Sequence, residues 1–369
     1  LGVYEYVQGD NSLLILLYGI AVLFICAAFI CVWAGAVKSA YQAQVCIEKN
    51  KPVTTFAEDI KSLFDKNLHK LLLTLPVGGI LIFTILPLIF MIAMAFTNYS
   101  KVNSHLVLFD WVGLENFRQM FDVSGTFGKT FWSVLGWTIV WAVFATGLNY
   151  ILGMLLALLI NRKGTKIKGF WRLIFILSIA IPQFVSLLVM RSMLSQDGII
   201  NVMLKNAGWI QKSLSFFSNV AWARITVIVV NLWIGIPYTM MQVTGILQNI
   251  PLELYEAAEV DGAGPVIRFF KITLPYMLFV TTPYLITTFT ANINNFNIVY
   301  LLTKGDPVLA GNTAGKTDLL VTWLYKMTVD YQYYNLGAVI GIMTFVFLAI
   351  GSLLVYRRTK SYKDEEGFQ

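Results

Sequence analysis

Two stretches of the chain carry polar side chains at the spacing of one helix face. In "VNLWIGIPYTMMQV", Asn231, Gly235, Tyr238 and Gln242 recur at i, i+4, i+7 and i+11. In "TTFTANINNFNIV", Thr288, Asn292 and Asn295 recur at i, i+4 and i+7. Both stripes are amide and hydroxyl, without charge, and aromatic residues lie beside them. Pro237 withholds a backbone donor from the Trp233 carbonyl, and Gly235 lets another group approach closely. Such stripes serve one of two ends. They can join helices, since amides and hydroxyls bond across membrane helices. They can also line a path for a neutral, hydroxyl-rich solute, which needs many donors and acceptors, no fixed charge and apolar or aromatic walls. A sugar fits that description best.

Other chemistry fails on spacing. "GTFGKT" (125–130) and "GNTAGKT" (311–317) end like a phosphate-binding loop, but the pattern needs Gly at 123 and 310, where Val123 and Ala310 stand. No HExxH or GxSxG occurs. Cys26, Cys31 and Cys46 have no metal-ligand spacing and read as free thiols, and no metal is expected. The chain is not expected to be an enzyme or to bind a cofactor itself.

One segment concentrates acid. "PLELYEAAEVDGAGPVIRFFKITLP" (251–275) places Glu253, Glu256, Glu259 and Asp261 within eleven positions. Pro251 suits a first helical turn, the acids favour the N-terminal half of a helix, and Gly262 supplies the break. A second short helix is expected from Pro265, with Val266, Phe269 and Phe270 on its apolar side, running out near Pro275. Two short helices joined by glycine make a knob that can dock elsewhere.

The elements that hold these residues follow from composition. The chain has 369 residues, 57% hydrophobic and 13% charged. With positive mean hydropathy, that is the profile of a membrane protein. Seven stretches are long and apolar enough to cross the hydrocarbon: 13–37, 71–97, 131–160, 170–194, 221–247, 276–301 and 336–356. The fold class is therefore all-α and polytopic. The net charge of +7 is not read as nucleic-acid binding, because Lys and Arg sit in short segments between spans. Segments 38–70, 161–172, 246–275 and 357–369 together hold 17 of them, against 8 on the opposite side. The positive-inside rule then places the N-terminus outside and 251–275 and the tail in the cytoplasm. The spans carry essentially no ionisable residue, which argues against a proton-driven carrier. Residues 1–70 read as an N-terminal span with a cytoplasmic connector, and 71–356 as a six-span unit. "LGVYEYVQGDN" begins with Leu and lacks the basic flank of a signal peptide, so the native start is expected upstream.

Two connectors have pattern. In 98–130, "GLENF" (113–117) predicts a turn at Gly113 and a short surface helix with Phe117 and Phe121 on one face. In 302–335, Gly305-Asp306-Pro307 predicts a turn, and Leu320, Trp323, Leu324 and Met327 recur as an amphipathic interfacial face.

The acidic segment also matches a pattern. Glu256-Ala257-Ala258, three residues, Gly262, nine residues, then Ile272-Thr273-Leu274-Pro275 reproduces the EAA-x3-G-x9-I-x-L-P loop of ABC importer permeases at every stated position. The chain resembles that family. "GLENF", "NLWIGIPYTMMQV", "TFTANINNFNIVYLLTKGDP" and "GKTDLLVTWLYK" further resemble the maltose and maltodextrin permease subunit of the MalF type, over about residues 75–356. The resemblance implies a six-helix type I importer core plus an N-terminal helix in the bacterial cytoplasmic (inner) membrane. It implies that 251–275 is the coupling helix held by an ATPase, through Glu256, Ala257, Ala258, Gly262, Ile272, Leu274 and Pro275. Ile234, Gly235, Tyr238, Thr288, Asn292 and Asn295 would contact the sugar. The implied partners are a second homologous permease, two ATPase subunits carrying ATP and Mg, and an extracytoplasmic sugar-binding protein. The cargo would be maltose, maltodextrin or a related α-glucoside, with another neutral oligosaccharide or polyol as the alternative. Ala291 departs from the pattern where an aromatic ring is expected, and 98–130 is too short for the folded insert some relatives carry there. The family also suggests a further helix upstream of residue 1.

Overall fold

Long apolar runs between short polar connectors leave the backbone one way to satisfy its own hydrogen bonds in lipid, the helix. A computed structural model describes residues 10–53, 55–101, 108–162 and 164–358. The first nine residues, residues 102–107 of the connector 98–130, and the basic tail beyond 358 lie outside the described residues. Within them the helices are α1 (Ser12–Glu48), α2 (Phe56–Leu63), α3 (Leu68–Ile80), α4 (Leu86–Met94), α5 (Glu115–Phe121), α6 (Thr126–Asn161), α7 (Lys168–Ala180) and α8 (Gln183–Met193). They continue with α9 (Ile199–Asn206), α10 (Val220–Leu247), α11 (Leu252–Val260), α12 (Pro265–Arg268), α13 (Leu274–Ile293), α14 (Phe296–Leu302), α15 (Leu320–Tyr325) and α16 (Tyr334–Arg358). Among the described residues β pairing is confined to two isolated bridges.

Among the described residues six helical runs are long and apolar enough to cross a membrane, and α7 with α8 makes a seventh only as a broken span. The stretch 170–194, expected as one straight span, bends by 87° between Ala180 and Gln183. The cause is Pro182, which pushes the preceding Ile181 into extended backbone at φ −78°, ψ 125°.

Two other prolines are absorbed without a break. The turn Leu81–Ile85 precedes Leu86-Pro87, and Phe269–Thr273 precedes Leu274-Pro275; both widen to the π-helical i→i+5 pattern. A wider turn makes room for the proline ring against the preceding carbonyls. The second short helix of the acidic segment therefore does not end near Pro275 as expected. It runs from Pro265 through the π turn into α13.

The described residues gather into two compact units. The first comprises residues up to Arg118 together with Tyr331–Val339, so the second span lies in the same unit as α1. "GLENF" explains part of its packing. Asn116 is buried, and its Nδ2 donates to the carbonyls of Ala95 (2.8 Å) and Thr97 (2.7 Å), while its Oδ1 accepts from Asn335 Nδ2 (3.0 Å). Phe117 packs on Phe96 at 5.4 Å.

The second unit holds residues 119–330 and 340–369. Its core has two apolar layers. One contains Trp141, Ala145, Val227, Val230, Ile293 and Ile298; the other contains Tyr150, Met154, Met240, Val243 and Met277. Along α6 the layers meet between 145 and 150, along α10 between 230 and 240, and along α13 between 277 and 293. Polar residues of three helices fall in that gap.

Within the same unit, segment 302–330 folds into a polar knot. The fully buried Asp318 accepts from Gly315 N–H (2.7 Å), Thr322 Oγ1 (2.9 Å) and Lys326 Nζ (2.7 Å). Burial raises the Asp318 carboxyl above its ordinary range, and the Lys326 ammonium opposes that shift. Trp137 Nε1 holds the Thr317 carbonyl (3.1 Å), Arg224 Nε the Lys316 carbonyl (3.0 Å), and Thr138 Oγ1 the Leu320 N–H (3.1 Å). The "GNTAGKT" stretch is thus spent on backbone and side-chain packing. Leu320, Trp323 and Met327, expected on an interfacial face, are buried within this unit instead.

Candidate solute site and coupling loop

A cavity of about 330 Å³ fills the gap between the two apolar layers. That lies at the lower end of ligand-pocket sizes. All six residues expected at the solute site line it: Ile234, Gly235 and Tyr238 from α10, Thr288 and Asn292 from α13, and Asn295 just beyond. Asn231 joins them, but Gln242 does not, since it lies past the layer formed by Met240 and Val243. Ala291 is exposed and away from the lining; the rings facing the cavity are those of Tyr238 and Tyr284.

The lining residues differ in how far the protein has already used them. Asn292 Nδ2 donates to Thr146 Oγ1 (3.0 Å), and its carbonyl accepts from Trp141 Nε1 (3.0 Å). Asn295 caps α14, its Oδ1 accepting from Ile298 N–H (3.4 Å). It sits where the chain leaves α13, so the third member of the stripe is a cap rather than a position on the same helix. Thr239 and Tyr284 share a hydrogen bond at 3.3 Å. Two amide atoms are buried without a partner: Asn149 Oδ1 and Asn231 Nδ2. An unmatched buried donor or acceptor costs about 1–3 kcal/mol.

Sequence reasoning missed the polar Asn149, Ser178, Gln183, Ser186, Thr239 and Tyr284, and with the apolar Ile179, Ile181 and Pro182 these complete the lining. Ser178, Gln183 and Ser186 reach it because the chain bends at Pro182. Asn149 stands alone in the third span, and its signal was a single amide in an apolar run. No Asp, Glu, Lys, Arg or His lines the cavity.

The acidic loop has a different character. α11 has no buried residue. It ends at Asp261, where Gly262 turns the chain at φ +76°, a conformation that glycine adopts without strain. Leu252, Leu254, Val260, Val266, Ile267 and Phe270 are exposed, Val260 by 89%. Glu256, Ala257, Gly262 and Pro275 are exposed as well, while Ala258, Ile272 and Leu274 are half-buried. Ile272, Leu274 and Phe269 pack on the second core layer, so Phe269 faces inward and Val266 and Phe270 outward. Two contacts hold the loop's halves together: Arg268 Nη1 to Glu259 Oε2 (3.0 Å), and Tyr255 to Thr273 through their hydroxyls (2.8 Å). An exposed helix that sets apolar side chains beside acids is suited to a protein partner.

An all-α polytopic chain with a charge-free polar cavity among its spans has the architecture of a membrane transport component. The chain belongs to the family described as binding-protein-dependent transport system inner membrane component, whose model matches residues 149–360. It is 36% identical over 362 residues to the galactooligosaccharides transport system permease protein of Bacillus subtilis (strain 168), covering 97% of this chain and 86% of that protein. It is 34% identical to the maltodextrin transport system permease protein of the same organism, covering 97% and 84%. To the maltose/maltodextrin permease protein of Escherichia coli (strain K12) it is 38% identical, over 66% of this chain and 48% of that one. Its fold matches a bacterial ABC transporter chain involved in import of alginate, with TM-score 0.63 at 22% identity, covering 82% of this chain and 99% of that one.

Proposed function

We propose that the chain is the permease subunit of an ATP-driven importer that carries a neutral oligosaccharide through the cavity between its spans. The expected cargo is maltose, maltodextrin or a related α-glucoside. The observation that carries the reading is the lining itself: amides, hydroxyls and two tyrosine rings in about 330 Å³, with no charged side chain among the described residues. Such a wall offers a sugar hydroxyl both donors and acceptors, but it gives a charged group no counter-charge to replace its water. Galactooligosaccharide is the second reading, favoured by the 36% identity to a permease named for that cargo. The neutral lining argues against a sugar phosphate, which would call for arginine.

The chain itself then hydrolyses nothing. Two ATPase subunits, with ATP and Mg, would grip the knob at 251–275 through Glu256, Ala257, Ala258 and Gly262, with Ile272, Leu274 and Pro275 fixing the knob to its helix. A second homologous permease would complete the membrane unit, and an extracytoplasmic binding protein would deliver the sugar. The N-terminus would lie outside and the C-terminus in the cytoplasm. ATP binding acts by favouring one of two arrangements of the spans, and only differential affinity for them moves the balance.

The test is uptake by the reconstituted assembly, with its binding protein, of labelled maltotriose, β-1,4-galactotriose and an acidic uronate trisaccharide. The neutral sugars should be carried and the uronate excluded. Tyr238→Ala and Thr288→Ala are the cleanest probes. The side-chain hydroxyls of Tyr238 and Thr288 carry no hydrogen bond among the described residues, so truncating them breaks no internal hydrogen bond. Each should lower uptake about tenfold, the worth of one hydrogen bond whose partner is left buried. Unchanged uptake in both would remove the cavity from the pathway.

A further inference from the structure

We infer that Asn149 in the third span contacts the sugar and sets which hydroxyl the transporter accepts; the inference rests on the reading of the cavity as a sugar path. Three observations meet at this side chain. It is 6% exposed and lines the cavity from α6, opposite the two helices whose stripes are visible in the sequence. Its Oδ1 is buried with no hydrogen-bond partner, and so is Asn231 Nδ2 on α10. Its position is imposed: a methyl group on Gly235 would collide with the Asn149 amide, so the glycine exists at this point of α10 to let that amide approach.

The chemistry follows from the two unpartnered atoms. Asn149 Oδ1 accepts only, and Asn231 Nδ2 donates only. A sugar hydroxyl matches both at once, donating its proton to Asn149 and accepting from Asn231. The amide occupies the space that a side chain at Gly235 would fill, so it is held close to α10. A substrate lacking that hydroxyl leaves both amides unsatisfied. A site built to hydrogen-bond a hydroxyl rejects the analogue without it far more strongly than an apolar pocket rejects a missing methylene. Asn149 thereby becomes a specificity residue that the stripe pattern of the fifth and sixth spans does not contain.

The experiment uses the complete assembly in proteoliposomes with ATP inside and the binding protein outside. The probes are maltotriose and its mono-deoxy analogues, or the β-1,4-galactotriose series if the sugar panel selects that cargo. To keep capture by the binding protein out of the comparison, uptake is measured at concentrations saturating it for each analogue. Wild type should lose roughly tenfold or more at one hydroxyl position, the loss of a hydrogen bond with both protein groups left bare. Asn149→Leu should carry the parent sugar at about the rate wild type carries that analogue, and should transport parent and analogue alike. Where Asn149→Leu does not assemble, Asn149→Ala removes the amide without filling the cavity and is expected to give the same levelling. Discrimination retained in the variant, or absent at every position in wild type, overturns the inference. If Tyr238→Ala and Thr288→Ala abolish uptake while Asn149 variants discriminate normally, only the role of Asn149 falls; if all four leave uptake intact, the sugar path itself falls.

Discussion

Lys326→Met isolates what the buried pair in segment 302–330 contributes. Asp318 has no exposed side-chain surface and Lys326 only 13%, with Nζ and Oδ2 2.7 Å apart. Removing the cation leaves the carboxylate with the Gly315 N–H and the Thr322 hydroxyl but no opposing charge. Breaking a buried pair from one side costs about 3–5 kcal/mol. At roughly 2–4 °C per kcal/mol for a unit of this size, the melting temperature of the purified protein should fall by about 10 °C. The double variant Asp318→Asn/Lys326→Met removes both charges and keeps one carbonyl acceptor, so it should recover more than half of the loss. Acidity gives a second reading. Burial already holds the Asp318 carboxyl above its ordinary value. A group with a raised folded-state pKa contributes stability that is complete below the unfolded pKa and is lost as pH rises through the folded one. Without Lys326 the pKa rises further, so the deficit of Lys326→Met should shrink as pH is lowered from about 7.5 toward 5. Equal melting of single and double variants, with no dependence of the gap on pH, would refute the claim that the pair's charges matter to this segment.

Two further outcomes are expected. Gly262→Pro forces φ from +76° to the proline value near −65° and Glu256→Lys inverts an exposed charge, so each should lower sugar-dependent ATP hydrolysis of the assembly at least tenfold, Glu256→Lys while leaving the stability of the isolated chain within about 0.5 kcal/mol; normal coupling in both would unseat the knob as the ATPase contact. Asn116→Ala removes three hydrogen bonds, two of them to backbone carbonyls, and should destabilise the first unit by about 2–3 kcal/mol, visible as faster hydrogen exchange in residues 95–117; exchange unchanged there would remove the packing role given to "GLENF".

What the sequence made legible, and what it did not, divides along a physical line. Apolar length identified the spans, because crossing hydrocarbon is a one-dimensional requirement. Periodicity found Asn231, Gly235 and Tyr238, because a straight helix carries its face with it. It could not carry direction through Pro182. A proline in an apolar run announces either a tolerated kink, as Pro237 proves to be inside α10, or a sharp turn, and the neighbours that decide lie elsewhere in the chain. The same limit hid the π turn before Pro275, where the helix continues although the sequence reads as a stop. Asn149 had no stripe to mark it. Its importance comes from Gly235, eighty-odd positions away, and only the packing of α6 on α10 brings the two together.

That packing also bears on how a push at the knob would reach the cavity. α10 and α13 carry both stripes, and residues 248–264 are the direct link between them. On α13 the helical run starts at Pro265 and reaches Thr288 about 35 Å later at 1.5 Å per residue. On α10, Arg224 near the far end is tied to the Lys316 carbonyl and lies over the Trp137 ring at 4.4 Å, so that end is held by the polar knot. A displacement of the knob therefore cannot simply translate α10; it must tilt it about a fixed end or strain the π turn at Phe269–Thr273. Tilting changes the spacing between Gly235 and Asn149, where there is no slack for even a methyl group. On the proposed mechanism, this contact is where an ATPase cycle would alter the affinity for sugar, so Gly235→Ala should change the maltotriose concentration for half-maximal uptake together with the ATPase stimulation. A variant that shifted one without the other would show that the knob and the cavity are not linked through α10.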